Sequence, residues 1–87
     1  MDVKYLGATL DDIEFWKKSG NKQIQKKITA LVEDIKKHPE TGLGKPEQLK
    51  YGYSGFWSRR IDNENRIIYR INNGLIEILS LRGHYSR

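Results

Sequence analysis

The stretch that decides the fold is RIIYRINNGLIEILSL, residues 66–81. Apolar and polar residues alternate on both sides of Asn72-Asn73-Gly74, and this period of two is typical of β-strands. Asparagine and glycine are the residues that tight hairpin turns favour. The stretch therefore predicts two antiparallel strands joined by a short loop.

The length of this loop decides which side chains face the core. A two-residue loop would set Asn72 opposite Leu75 and bring polar residues onto the core side, whereas a three-residue loop would set Ile71 opposite Leu75. We expect the three-residue loop, since a slip of one residue moves every side chain to the other face. It gathers one apolar face, which consists of Ile67, Tyr69, Ile71, Leu75, Leu79 and Leu81.

The opposite face of this hairpin is polar. In the expected register Arg66 lies opposite Ser80, and His84 lies further along the same face. Antiparallel sheets often have one solvated face, so the arginines have a simple structural interpretation as solvent-facing residues.

The chain before this hairpin contains one more strand pattern and two helix patterns. Residues 56–61 (FWSRRI) predict a strand, and residues 62–65 predict a second hairpin loop. Residues 10–18 predict a helix with Thr9 as its N-cap, after a short strand at residues 2–6. The first helix stops at Ser19-Gly20.

The second helix is strongly amphipathic. Asn21 is its expected N-cap, and His38-Pro39 ends it because the residue before proline avoids helical backbone angles. Its apolar face is continuous and consists of Ile24, Ile28, Leu31, Val32 and Ile35. The sequence thus predicts one α+β domain over residues 1–87, with a short N-terminal strand and two helices packed on an antiparallel meander sheet.

Composition narrows the functional class. The 87 residues carry a net charge of +5 and no cysteine, which favours a polyanionic partner and excludes disulfide bonds and thiolate metal sites. No apolar run is long enough to span a membrane, and the N-terminus lacks the pattern of a signal peptide. We expect a soluble, cytoplasmic protein without membrane contact.

Three positions suggest a catalytic set. Glu47 follows the turn-rich GLGKP, Arg66 begins a strand, and His84-Tyr85 lies near the C-terminus. Metal-free RNA cleavage needs a group that deprotonates the ribose 2′-hydroxyl, a cation for the charged phosphoryl oxygens and an acid for the departing 5′-oxygen. Glutamate, arginine and histidine suit these roles in that order.

Other chemistries fit the sequence less well. A metal site of His38, His84 and a carboxylate lacks suitable spacing, and His38 is better explained by the helix C-terminus, which favours positive charge. No serine lies on a recognisable nucleophile turn. We therefore expect neither a metal nor a cofactor.

Four segments resemble a known family. GKPEQLK (44–50), SGFWSRRI (54–61), NRIIYRI (65–71) and RGHY (82–85) are similar to the YoeB/Txe branch of the RelE-like toxins. The resemblance covers nearly the whole chain. It implies the RelE-like microbial ribonuclease fold and a toxin of a type II toxin–antitoxin pair, which cleaves mRNA codons in the ribosomal A site and is neutralised by an antitoxin of the YefM/Phd type.

The resemblance also implies roles for individual residues. Glu47 matches the general base, Arg66 the transition-state arginine and His84 the general acid. Tyr85 matches a tyrosine that orients the substrate, and Lys50 matches a lysine that contacts the scissile phosphate. The cleavage would be metal-independent, and the toxin would be a homodimer or part of a toxin–antitoxin hetero-oligomer.

Further basic residues are candidates for RNA contact. The register of strand 56–61 stays open, so Arg59 and Arg60 are both candidates, and Arg82 is a third. The family commonly ends at the tyrosine, whereas Ser86 and Arg87 follow it here. This difference bears on the detailed role of Tyr85 more than on the activity.

There are two rival interpretations, of which the first keeps the fold and changes the chemistry. ParE-like toxins bind DNA gyrase and lack the ribonuclease residues, so the Glu47–Arg66–His84 set argues against that class. A non-enzymatic RNA-binding module would carry aromatic stacking platforms on its sheet. Trp57, Tyr69 and Phe56 are more simply explained by core or edge packing.

Overall fold

A five-stranded mixed sheet forms the centre of the fold in the computed structural model, which describes residues 1–83. The strand order is β1-β5-β4-β3-β2; β1 pairs with β5 in parallel, and the other three pairs among residues 1–83 are antiparallel. The elements are β1 Asp2–Tyr5, α1 Thr9–Ser19, α2 Lys22–Lys37, β2 Glu47–Gln48, a 3-10 turn Tyr51–Tyr53, β3 Phe56–Arg60, β4 Arg66–Asn72 and β5 Leu75–Ser80. The predicted α+β class, with helices packed on a sheet, is confirmed.

Helix α2 buries the apolar face that its sequence predicts. Leu31 and Ile35 are fully buried against the sheet, and Ile24 and Val32 are nearly so. The Asn21 side chain accepts a hydrogen bond from the backbone N–H of Ile24 at 3.1 Å, which confirms the predicted N-cap.

Helix α1 is attached to the sheet through a residue for which we predicted another role. Thr9 is fully buried, and its hydroxyl donates to the carbonyl oxygen of Ile78 at 2.8 Å. The cap position is Ala8, which makes no side-chain capping bond. The prediction of Thr9 as the N-cap is therefore wrong, because a buried hydroxyl is satisfied by the strand that the helix packs against.

The β4–β5 hairpin has the shorter of the two loops considered. Asn72 pairs with Leu75, and both Asn73 and Gly74 have positive φ (53° and 75°), as in a type I′ turn. The preference for a three-residue loop is wrong, and so is the expected opposition of Arg66 and Ser80, since Ser80 pairs with Ile68.

A β-bulge explains why this register still buries an apolar face. The pairing shifts between Ile68 and Tyr69, which leaves Leu79 as an extra residue in β5. The extra residue reverses the alternation of side chains along β5, so Ile76 and Ile78 before the bulge and Leu81 after it all reach the core.

No helix within residues 1–83 is long and apolar enough to cross a membrane.

Candidate active site

The predicted general base lies on the edge strand of the sheet. Glu47 begins β2 and pairs with Ser58 of β3. Before it, Gly44 has φ +78°, and its carbonyl accepts the N–H of Arg60 at 2.7 Å. A Cβ on Gly44 would lie 2.8 Å from Leu31 Cδ2 and 3.0 Å from the Arg60 carbonyl oxygen. Only glycine allows this approach, which aligns the segment leading to Glu47 with β3.

The predicted transition-state arginine lies two strands away on the same face. Arg66 begins β4, and its Nη1 lies 3.5 Å from Ser58 Oγ. Because paired residues of adjacent strands share a face, Glu47, Ser58 and Arg66 all point away from the helices. Ser58 is fully buried and lies between the carboxylate strand and the arginine strand. The structure thus brings Glu47 and Arg66 to one face.

Positive charge is concentrated at this end of the open face. Arg60 pairs directly with Arg66 across β3 and β4, and no ion pair within residues 1–83 includes either arginine. Further along the face, Arg70 donates to Glu77 at 2.6 Å, which lowers the pKa of Glu77. The far end is therefore neutralised, whereas the end beside Glu47 keeps its positive charge.

The last described residue is bonded to the start of β4. The backbone N–H of Arg66 donates to the Gly83 carbonyl oxygen at 2.9 Å. The Gly83 N–H donates to Asn65 Oδ1 at 2.8 Å. His84 and Tyr85 lie outside the described residues, so their predicted roles stay predictions. The chain that leads to them starts beside Arg66.

The two candidate RNA-binding arginines of β3 face opposite sides of the sheet. Arg60 is exposed on the open face, whereas Arg59 is fully buried on the helix side. The Arg59 guanidinium donates to Asp34 Oδ2 at 2.5 Å. It also donates to the carbonyl oxygens of His38, Thr41 and Leu43. The prediction that Arg59 contacts RNA is wrong, because every N–H group faces the protein interior.

Arg59 has a structural function instead. It binds the carbonyl groups after α2, and its Nε donates to Tyr69 Oη at 3.1 Å. Its hydrogen bond is the main cause that holds the pKa of Asp34 below its usual value. Arg59 thereby attaches the segment between α2 and β2 to the sheet that carries the candidate site.

The remaining basic candidates lie at different places around the fold. Lys50 lies two residues after the end of β2 and directly precedes the turn Tyr51–Tyr53. The Arg82 guanidinium lies 3.5 Å from the centre of the Phe15 ring, so it rests against α1. Contact of Lys50, Arg60 or Arg82 with RNA stays a prediction.

Within residues 1–83 no group of three or more His, Cys, Asp or Glu side chains is placed to hold a metal ion.

Sequence reasoning missed two polar residues at this site. Ser58 has no functional pattern of its own in the strand FWSRR. Its position two residues before Arg60 does predict that the two side chains share one face of the sheet. The sequence indicates Asn65 only as part of a hairpin loop, yet its side-chain oxygen accepts a hydrogen bond from the N–H of Gly83, 18 residues later. No local pattern could have indicated that contact.

The chain is similar to known proteins over most of its length. The model of the YoeB-like toxin family of bacterial type II toxin–antitoxin systems matches residues 5–85. Toxin YoeB of Escherichia coli K12 is 44% identical over 75 residues, which cover 86% of this chain and 88% of the relative.

Solved structures give the same family. A YoeB/ParE toxin from Agrobacterium tumefaciens has a TM-score of 0.92 at 38% identity, with 98% of this chain and 100% of the other covered. The toxin in a heterotetrameric YoeB–YefM complex from Staphylococcus aureus has a TM-score of 0.86 at 31% identity, with 98% of each chain covered. A YoeB dimer from the same organism is equally similar.

Proposed function

The chain belongs to the YoeB-like toxins of bacterial type II toxin–antitoxin systems, and from this premise we propose that it is a ribosome-dependent endoribonuclease that cleaves mRNA. The observation that carries the proposal is the shared face of Glu47 and Arg66, with Ser58 between them. A carboxylate and an arginine on one open, positively charged face can together bind a phosphodiester and deprotonate a nearby hydroxyl.

The proposed reaction needs three proton and charge events. Glu47 removes the proton of the ribose 2′-hydroxyl, and the 2′-oxygen attacks the adjacent phosphorus. Arg66 stabilises the additional negative charge on the phosphoryl oxygens. His84 donates a proton to the 5′-oxygen as the bond to phosphorus breaks. The products are a 2′,3′-cyclic phosphate and a 5′-hydroxyl, and neither a metal nor a cofactor takes part.

Four further residues complete the proposed substrate contacts. Tyr85 orients the scissile nucleotide, and Lys50 contacts the scissile phosphate. Arg60 extends the positive charge of the open face, since it lies opposite Arg66 and has no carboxylate partner among residues 1–83. Arg82 joins them if its side chain leaves the Phe15 ring when RNA binds.

The proposed partners are an antitoxin and the ribosome. Similar toxins from Staphylococcus aureus occur in complexes with YefM and as a dimer, which supports a YefM-type antitoxin and a homodimer for this chain. A net charge of +5 favours an acidic antitoxin segment that folds on the toxin, with association that slows as salt rises. Action on ribosomes places the protein in the cytoplasm.

The test is the chemistry of the cut ends. Purified protein is added to ribosomes programmed with a defined mRNA, and the 5′ and 3′ ends of the products are identified. We expect cuts inside the A-site codon, a 2′,3′-cyclic or 3′-phosphate, a 5′-hydroxyl, and no cleavage when the scissile nucleotide lacks its 2′-hydroxyl. Products with a 5′-phosphate would contradict the mechanism, and DNA breaks that depend on gyrase would support the ParE-like alternative.

A further inference from the structure

The feature that carries a further inference is the double attachment of Gly83. Its N–H is bound by the side chain of Asn65 at 2.8 Å, and its carbonyl oxygen is bound by the backbone of Arg66 at 2.9 Å. Gly83 has φ +82°, a conformation that it can leave at little steric cost. Two hydrogen bonds from consecutive residues thus fix a backbone that glycine alone would leave free.

The Asn65 amide is itself held in one orientation. Its Nδ2 donates to both carboxylate oxygens of Asp62, at 3.2 and 3.3 Å, so its oxygen is directed toward Gly83. Asp62 also accepts the N–H groups of Glu64 and Asn65 through Oδ1. Burial opposes ionisation of Asp62, but these donors outweigh it and hold the pKa of the carboxyl below its usual value. Asp62 therefore stays an anion that orients the amide.

The residues before Gly83 are attached from the other side. Asp12 of α1 accepts the N–H of Leu81 at 3.0 Å, and the Trp16 indole donates to the Leu81 carbonyl oxygen at 2.9 Å. Leu81 is consequently fixed by α1, independently of the Asp62–Asn65 turn. Gly83 is bonded instead to this turn and to the backbone of Arg66.

We propose that Asn65, oriented by Asp62, is a positioning residue that sets where the catalytic C-terminal segment leaves the sheet relative to Arg66. The inference rests on the proposed function, in which residue 84 is the general acid. Arg66 and residue 84 must act on the same phosphate, and a misplacement of about 1 Å can cost roughly 100-fold in rate. Asn65 directly precedes Arg66, and Gly83 directly precedes residue 84. The hydrogen bond between Asn65 and Gly83 therefore sets the distance between the two backbones that carry these groups.

The variant Asn65→Ala removes the bond from Gly83 without touching the proposed substrate contacts. We expect kcat to fall by about 10- to 100-fold with little change in KM, because ribosome and RNA contacts are made elsewhere. The matched control is Asn63→Ala in the same exposed turn, where no side-chain hydrogen bond of Asn63 is present within residues 1–83. It should keep the normal rate.

A modified substrate distinguishes a loss of general-acid positioning from a general loosening of the fold. An mRNA with a 5′-bridging sulfur at the cleavage site has a leaving group that needs no protonation. If Asn65 positions the acid, Asn65→Ala should recover most of its lost rate on this substrate. If both substrates are slowed equally, or if kcat is unchanged, the inference is wrong.

A conservative double change gives a second measurement. Asp62→Asn with Asn65→Asp exchanges donor and acceptor, so an oxygen at position 65 can still bind the Gly83 N–H. This double variant should regain activity that Asn65→Ala lacks, and absence of rescue would count against the inference.

The attachment can also be measured without any cleavage. Hydrogen exchange of the Gly83 amide, followed by NMR, should be slow in the unaltered protein and in Asn63→Ala but fast in Asn65→Ala. An unaltered protein that cuts no mRNA while its Gly83 amide is protected would refute the proposed function and leave the attachment established. An amide that exchanges equally fast in all three proteins would refute the attachment itself.

Discussion

Arg60 and Arg66 lie directly opposite each other on β3 and β4, on the face of the sheet that points away from the helices. Like charges at opposed positions destabilise a sheet, and neither arginine has an ion-pair partner within residues 1–83. On the same face Arg70 is paired with Glu77. The protein therefore tolerates repulsion between two arginines that we propose bind RNA phosphate.

This relationship predicts that removing one arginine stabilises the free protein. Arg60→Gln should raise the free energy of unfolding by about 0.2–1 kcal/mol at low ionic strength, and the gain should shrink in high salt. Urea denaturation at two salt concentrations measures it. Arg70→Gln on the same face is the control and should have the opposite sign, because it breaks a pair. A loss of stability for both variants would show that Arg60 is not repelled.

Arg59 should behave quite differently from its neighbour in sequence. Arg59→Met leaves Asp34 and several carbonyl groups without their donor, so we expect a loss of about 3–5 kcal/mol in the free energy of unfolding. Arg60→Met should cause no such loss, because it removes the same opposed charge as Arg60→Gln. Urea denaturation compares the two.

A milder variant keeps this prediction testable if Arg59→Met does not fold. Tyr69→Phe removes a hydroxyl that accepts from Arg59 and donates to the Pro39 carbonyl oxygen at 2.7 Å. It should cost about 1–3 kcal/mol, since buried partners are left unsatisfied. A cost near zero would mean that this network does not stabilise the segment after α2.

Stability should fall in acid because of Asp34. The Arg59 hydrogen bond lowers the pKa of the Asp34 carboxyl below its value of about 3.9 in an unfolded chain. A lowered folded-state pKa gives stability that is present above the unfolded pKa and is lost as pH falls through the folded one. Asp34→Asn should reduce stability at neutral pH and flatten the decline below about pH 4. An unchanged acid profile in Asp34→Asn would contradict this assignment.

How far the sequence could go is clearest in α2 and β5. Periodicity alone predicted the buried face of α2 and its Asn21 cap, because both depend on residues close together in the chain. The β5 register could not be predicted in the same way. A bulge at Leu79 reverses which residues of the strand face the core. If strict alternation is assumed along the whole strand, the three-residue loop is favoured instead of the observed two-residue loop.

The candidate site shows the same division. Residue type and resemblance were sufficient to select Glu47 and Arg66, and the structure brings them to one face. They were insufficient to decide whether Arg59 or Arg60 lies on the open face, because the face that a strand residue occupies depends on how the strand pairs with its neighbours. The Asn65–Gly83 contact depends on the path of the whole chain and has no local signature.

The last prediction separates charge stabilisation from proton transfer at the proposed site. Arg66→Ala and His84→Gln should each slow cleavage of ordinary mRNA by about 100- to 10,000-fold, while the free energy of unfolding changes little. With a 5′-bridging sulfur the leaving group needs no proton, so His84→Gln should recover most of its rate. Arg66→Ala should stay slow, because negative charge still develops on the phosphoryl oxygens. If both variants stay equally slow in single-turnover cleavage of ribosome-bound mRNA, His84 is not the acid, and Tyr85 or the ribosome must supply the proton.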